Sequence, residues 1–240
     1  MRVIAVIPAR LGSTRLPRKM LREIGGVPLI GRVYVATRSS PLLADVIVAT
    51  DSTEIRDLCA RRGWNSCMTA DTHRSGTERV HEVAQNVSAD VYINVQGDEP
   101  MTRPEHIAAL IEVMKAPGVE VGTLKTPASP ADIANPNAVK VVTDKDGRAL
   151  YFSRATIPFD RDRLGAKYFK HLGLYGYRKS ALGRFVGLPE ATLESSEKLE
   201  QLRFMENGIA IYVAETPFDS IGVDTEEDLR RAEELVRKGG

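Results

Sequence analysis

Among 240 residues there are only two cysteines, Cys59 and Cys67. Two thiols cannot build a disulfide-dense scaffold or a four-thiolate metal site. Cys59 falls within a helical pattern and Cys67 at a strand end, so each reads as an ordinary buried or half-buried thiol. No apolar run reaches the roughly 18 residues of a membrane span. The opening MRVIAVIPAR has one charge and then five apolar residues before Pro8, too few for the core of a secretory signal. The chain is therefore expected to be cytoplasmic, with no membrane partner. A charge excess is also missing: 33 Lys and Arg face 32 Asp and Glu, a net of +1. That balance argues against nucleic acid as a partner and leaves room for a small local anion pocket.

What is present is ordinary for a globular chain, with 42% hydrophobic and 27% charged residues. The length suits one domain, or one with a substantial insertion, and a radius of gyration of roughly 18 Å. Arg2–Ile7 is a near-continuous apolar run, as expected of a parallel strand covered on both faces. A glycine- and proline-punctuated loop follows, then a turn at Gly25-Gly26 and a helix over Pro28–Arg38. The alternation repeats. Strands are expected at Asp45–Ala49, Asn65–Met68 and Val91–Val95. Helices are expected from about Thr53 to Arg62, over Gly76–Gln85 and from Pro104 to about Lys115. Strand and helix in turn predict an α/β fold with a doubly wound, mostly parallel sheet.

The second half breaks that rhythm. Val119–Thr126, Leu172–Tyr177 and Ile209–Ala214 read as strands. Ala138–Thr143 and Arg148–Ser153 form a hairpin about the Asp146-Gly147 turn signal. Helices are expected over Ser195–Glu206 and Thr225–Lys238. The chain reads as a single domain, 1–240, with a mixed-strand insertion at about 120–190.

The chemistry gathers after strands, where ligands bind in open α/β sheets. The first loop, Pro8 to Lys19, combines Gly12, Ser13 and Thr14 with the cations Arg10, Arg15, Arg18 and Lys19. Free backbone N–H groups, hydroxyl donors and positive charge are what a polyphosphate needs. The loop is neither a P-loop nor a dinucleotide fingerprint, and its arginines could equally be solvated surface residues. Asn94-Val95-Gln96-Gly97-Asp98-Glu99-Pro100 puts acid at the same sheet edge. Carboxylates facing phosphates call for a divalent cation between them, and magnesium takes one or two carboxylates plus phosphate oxygens. Asp224 reads two ways, as a helix cap ahead of Thr-Glu-Glu-Asp-Leu or as a second metal ligand. Ser75-x-x-Glu78 reads as a capping box or as a loop that contacts a base or sugar through Arg74 and Ser75. Tyr151–Arg154, Lys170–Tyr177 and Leu199–Arg203 mix cationic, hydroxyl and amide donors, as a polyhydroxylated acid requires. A histidine beside a strand, such as His171, is also a common structural residue.

Nine segments in order carry a resemblance over nearly the whole chain. They are IPARLGSTRLPRK (7–19), VATD (48–51), HRSGTER (73–79), NVQGDEP (94–100), NPNAVKVV (135–142), ALYFSRATIPFDRD (149–162), HLGLYGYR (171–178), LEQLR (199–203) and GVDTEEDL (222–229). The chain resembles the 3-deoxy-manno-octulosonate (Kdo) cytidylyltransferases. The first and fourth segments are shared in looser form with other sugar nucleotidyltransferases. YFSRA, HLGLYGYR and LEQLR are more specific to the Kdo branch. The resemblance implies CTP and Kdo as substrates, CMP-Kdo and pyrophosphate as products, and Mg²⁺ as cofactor. It also implies a nucleotide-diphospho-sugar transferase fold, a homodimer built through the 120–190 subregion, and a step of lipopolysaccharide synthesis. Arg10, Ser13, Arg15 and Lys19 would hold the CTP phosphates. Arg10, Arg15, Lys19 and Asp98 would form the catalytic set. Pro8, Ala9, Met68, Arg74, Ser75 and Gln96 would line the nucleotide. Gln96, Arg154, His171, Tyr175, Glu200 and Gln201 would contact Kdo, and Asp98 with Asp224 would hold magnesium. One departure stands out: the family's loop lysine is usually flanked by glycine and proline, and here Arg18 and Met20 flank Lys19. Sialic-acid cytidylyltransferases, an amino-substituted Kdo acceptor and a non-catalytic nucleotide-binding regulator are the rival readings.

Overall fold

The computed structural model describes residues 1–13 and 15–237. Thr14, counted above in the phosphate loop, and Lys238, the expected end of the last helix, lie outside the described residues. Chain contacts divide the protein into two compact units. The first joins Met1–Ala108 to the C-terminal segment from Ser220, and the second is Ala109–Asp219.

In the first unit the elements are β1 (Val3–Ala9), the two-residue strands β2 (Glu23–Ile24) and β3 (Val27–Pro28), α1 (Leu29–Arg38), β4 (Asp45–Thr50) and α2 (Thr53–Arg62). Then come β5 (Ser66–Met68), α3 (Gly76–Asn86), β6 (Val91–Asn94) and α4 (Pro104–Lys115), within which the division falls. Strands β6, β1, β4 and β5 lie side by side and all parallel. Ile4 to Ile7 of β1 have no exposed surface, as an apolar run between two parallel neighbours should. Because every strand points the same way, the loops leaving β1, β4, β5 and β6 emerge at one edge. Gly25 and Gly26 turn β2 into β3 with φ of 56° and 74°, the left-handed region that glycine enters freely.

The second unit holds β7 (Val121–Pro127), α5 (Pro130–Ile133), β8 (Lys140–Thr143), β9 (Ala149–Ser153), β10 (Phe169–Tyr177) and α6 (Lys179–Gly187). It continues with α7 (Thr192–Glu197), α8 (Gln201–Glu206) and β11 (Tyr212–Glu215). The last helix, α9 (Glu226–Arg237), returns to the first unit. β7 pairs antiparallel with β10 and parallel with β11, so this unit is mixed, as its sequence implied. β8 and β9 form the expected hairpin, with Gly147 at φ 79° in its turn.

One expected element is split. The helix read over Ser195–Glu206 is two short helices, α7 and α8, because Lys198 adopts φ 53° and ψ 47° and ends the first. The Arg203 guanidinium folds back across the break onto the Glu194 carboxylate at 2.6 and 2.7 Å. Two further helices, α5 and α6, fall where none was expected. Ser129 caps α5 by accepting from Asp132 N, with Pro130 at its first position.

Candidate active site

The edge where the parallel strands of the first unit end holds a cavity of about 710 Å³. β1 delivers Pro8, Ala9 and Arg10 to it. The following loop adds Gly12, Ser13 and Arg15, then closes with Arg18 in the left-handed region at φ 55° ahead of a 3₁₀ turn over Lys19–Leu21. Arg18 leaves the cavity to pair with Glu54. Lys19 turns inward, its side chain 10% exposed.

There Lys19 Nζ donates to Asp98 Oδ2 at 2.5 Å and to Asp224 Oδ1 at 2.9 Å. Burial works against the ammonium, and the two carboxylates outweigh it, so the Lys19 pKa is raised above its ordinary value. Arg15 reaches the other oxygen of Asp224 at 3.0 Å. Residues far apart in sequence meet because Val223 N donates to the Asp98 carbonyl at 2.8 Å. The two readings of Asp224 are now separable. The helix cap belongs to Thr225, whose Oγ1 accepts from Asp228 N, while the Asp228 carboxylate accepts from the backbone of Asp224 and Thr225. The Asp224 carboxylate is thereby free to face Lys19.

The opposite wall comes from the start of α3. Ser75 accepts from Glu78 N at 3.2 Å and caps the helix, and Glu78 in turn accepts from Arg74 N at 2.8 Å. Ser75 lines the cavity together with His73 and Arg79. Arg79 is 3% exposed, ion-paired to Asp51 at 2.7 Å and hydrogen-bonded to Thr69. His73 bonds Glu82. Neither His73 nor Arg79 was singled out from sequence. The signal for Arg79 was there, since Ser75 and Arg79 are four apart at a helix start and so share a face. Gln96 also lines the cavity. Arg74, with a side chain 79% exposed, and Met68, 43% exposed, do not.

The remaining expected residues lie in the second unit. His171 and Tyr175 are on β10, Arg154 follows β9, and Glu200 and Gln201 open α8. Their rings form a run: Phe152 meets His171 edge-on at 4.9 Å, His171 meets Tyr175 at 5.4 Å, and Tyr175 stacks on Tyr177 at 5.7 Å. The Gln201 amide nitrogen is buried with no protein partner. Arg154 is heavily engaged with backbone. It donates to the carbonyls of Glu197 at 2.7 Å, Pro136 at 3.0 Å and Lys198 at 3.4 Å. Its own carbonyl accepts from Lys140, a lysine with no exposed surface that also serves the carbonyls of Asn135 and Ala138.

A cytidylyltransferase family model matches residues 4–211. A 3-deoxy-manno-octulosonate cytidylyltransferase of Koribacter versatilis (strain Ellin345) is 67% identical over 98% of this chain and 90% of its own. The chain belongs to the 3-deoxy-manno-octulosonate cytidylyltransferase family. A second member, from Acidobacterium capsulatum, is 57% identical over 98% of this chain and 96% of its own. The solved structure of a CMP:2-keto-3-deoxy-manno-octonic acid synthetase complexed with CTP covers 100% of both chains at 41% identity, with a TM-score of 0.96. The fold is thus the α/β nucleotidyltransferase fold of that family, and the chain is an enzyme of the nucleotidyl-transfer class.

A nucleotidyl transfer assisted by a metal needs oxygen donors beside the phosphates, and the donor set here fits a hard divalent cation. Two carboxylates from different loops converge on one cationic atom, the Lys19 ammonium. Among the described residues no group of three or more His, Cys, Asp or Glu is arranged to hold a metal without other ligands. Two carboxylates leave the rest of a hard cation's oxygen shell to phosphate oxygens and water.

Two results are expected from this geometry. At Gly97, an added Cβ would stand 2.8 Å from the Pro8 carbonyl and 3.0 Å from Met20 Sδ. Gly97→Ala should therefore lower stability by about 1–3 kcal/mol, the usual range for forcing a methyl into a filled space. An unchanged denaturant midpoint would show that β1 yields freely there. The second concerns acid. Burial pushes the His171 imidazole down to about 3 from its ordinary 6.5. Between those values the unfolded chain binds the extra proton and the folded chain does not, so stability falls as pH drops from about 6.5 toward 3. Wild type should lose more stability than His171→Gln across that window; parallel curves would refute it.

Proposed function

We propose that the protein transfers the cytidylyl group of CTP to the anomeric hydroxyl of Kdo, releasing pyrophosphate, with magnesium as its cofactor. The observation that carries this is the Lys19 ammonium held between Asp98 and Asp224 in a cavity walled by the basic loop. The hydroxyl oxygen attacks the α-phosphorus and its proton passes to solvent, while the bond from the α-phosphorus to the bridging oxygen breaks and its electron pair leaves with pyrophosphate. No side-chain nucleophile is required, so positioning and charge stabilisation supply most of the catalysis.

Arg10, Arg15 and Lys19 neutralise charge on the leaving pyrophosphate, and Ser13 with the loop N–H groups grips the phosphates. A triphosphate gives Lys19 an anionic partner of its own, leaving Asp98 and Asp224 to hold magnesium. When bound, magnesium polarises the α-phosphate and lowers the pKa of the attacking hydroxyl. Pro8, Ala9, Ser75 and Gln96 line the nucleotide, joined here by Arg79. Arg79, locked to Asp51, is a rigid cation in that wall. Arg154, His171, Tyr175, Glu200 and Gln201 hold the sugar acid. We assign the protein to the cytoplasm, where CTP is made, and to a homodimer joined through the second unit, which includes the 120–190 subregion. A one-chain mass in light scattering refutes the dimer.

The deciding assay is pyrophosphate release from purified protein with CTP and Mg²⁺, with and without Kdo, using UTP and N-acetylneuraminate as paired controls. Release that needs both CTP and Kdo is the expected result. Release with N-acetylneuraminate instead, or CTP binding without release, overturns the assignment.

A further inference from the structure

β10 does not run smoothly against β7. Leu172 lies opposite Leu124 and Tyr175 opposite Thr123, so Gly173 and Leu174 have no residue facing them on β7. This is a bulge, and bulges re-aim the side chains beside them. Thr123 fills the irregularity. It has no exposed surface, and its Oγ1 lies 2.8 Å from the Leu174 carbonyl, 3.2 Å from the Leu172 carbonyl and 3.0 Å from His171 Nε2.

The shortest of these contacts decides where the hydroxyl hydrogen points. A threonine hydroxyl owns one hydrogen and can accept through its lone pairs. The Leu174 carbonyl is the nearest acceptor, and two oxygens at 2.8 Å with no hydrogen between them repel, so the hydroxyl hydrogen points there. Toward the ring, Oγ1 is left with a lone pair only. His171 Nε2 must therefore carry the hydrogen and donate it. A neutral imidazole has one N–H, so the opposite nitrogen, Nδ1, is bare. The ring is held neutral by its burial. Its plane is set by Phe152 edge-on and by Tyr175.

We propose that Thr123 is a positioning residue that locks His171 as the Nε2–H tautomer, so that Nδ1 is a fixed hydrogen-bond acceptor for one hydroxyl of the sugar acid. This rests on the assignment of His171 to the sugar site. A fixed acceptor does two things. It binds a hydroxyl and repels carboxylate and phosphate oxygens, so the acid group of the substrate must be held elsewhere. It also discriminates against an analogue in which that hydroxyl is replaced by hydrogen or capped as a methyl ether. An ammonium in its place remains a donor and is tolerated.

The test pairs a spectrum with kinetics. Long-range ¹H–¹⁵N correlation spectra of the ¹⁵N-labelled protein at neutral pH report which imidazole nitrogen of His171 is protonated. Wild type should show Nε2–H and bare Nδ1. Thr123→Val removes the hydroxyl at nearly constant shape. It should give mixed or inverted tautomers and raise KM for Kdo about tenfold, the weight of one hydrogen bond, with KM for CTP unmoved. Thr123→Ser should restore both the spectrum and KM. A protonated Nδ1 in wild type, or a Thr123→Val protein that keeps the wild-type tautomer, overturns the lock. A lost tautomer with an unchanged KM for Kdo overturns the link to substrate. If Thr123→Val does not fold, the wild-type spectrum and Thr123→Ser still decide. Failure of the proposed function itself would appear separately, as wild type releasing no pyrophosphate with CTP and Kdo.

Discussion

Asp98→Asn should lower turnover by at least ~100-fold, the size expected for losing one strong charge-stabilising group, while the protein stays folded. Asparagine keeps the shape of the side chain and can still accept from Lys19, and Asp224 remains 2.9 Å from the same ammonium. What is removed is negative charge. The proposed metal position, built from two carboxylates and phosphate oxygens, would be left with one carboxylate, so the magnesium concentration for half-maximal rate should rise steeply. CTP binding measured without metal should be retained or improved, because an acidic group facing the phosphates has gone. A near-normal rate would remove Asp98 from the chemistry. A rate loss accompanied by a collapse in melting temperature would mean that the carboxylate acts through the fold, by way of its ion pair with Lys19.

The parallel half of the fold was legible because its strands are buried on both faces and read as apolar runs bounded by turn residues. The edge that holds the cavity followed from that, since the basic loop and Gln96-Gly97-Asp98 come directly after β1 and β6. Pairings between distant segments were not legible. Nothing local to Asp51 and Arg79 announces that they meet, because the contact exists only once β4 and the start of α3 are neighbours. Asp224 shows a subtler limit. Its sequence context suits a helix cap, and a cap is indeed made, but by the next residue, Thr225. The break at Lys198 was hidden because Leu199, Leu202 and Met205 keep a helical spacing past it. Left-handed backbone at a lysine has no glycine or asparagine to advertise it, and tertiary contacts such as Arg203 on Glu194 impose it. The bulge at Gly173 and Leu174 left only the glycine as a trace. By contrast, the Ser-Pro-Ala-Asp start of α5 was a readable capping signal that went unread.

Arg154→Ala should raise KM for Kdo by about 100-fold, the scale of truncating one partner of a buried charged contact, and leave KM for CTP nearly unchanged. The guanidinium has five N–H groups. Three are spent on the carbonyls of Glu197, Pro136 and Lys198. The two left, one on each terminal nitrogen, suffice for a carboxylate of the sugar acid. Truncation therefore acts twice. It deletes the cation, and it unties the turn at Lys198 that leads into Glu200 and Gln201, together with the loop at Pro136. Lys140 and the Glu197 carboxylate still hold the backbone of residue 154 from either side, at 2.8 and 2.9 Å, so the end of β9 should persist and the protein should remain folded. The two roles separate with Arg154→Lys. Lysine restores a cation but cannot reproduce the planar fork that spans three carbonyls. If charge is the main contribution, lysine recovers most of the affinity for Kdo. If stitching the loops dominates, lysine behaves as alanine does. Equal losses for CTP and Kdo in either variant would refute the placement of Arg154 on the sugar side.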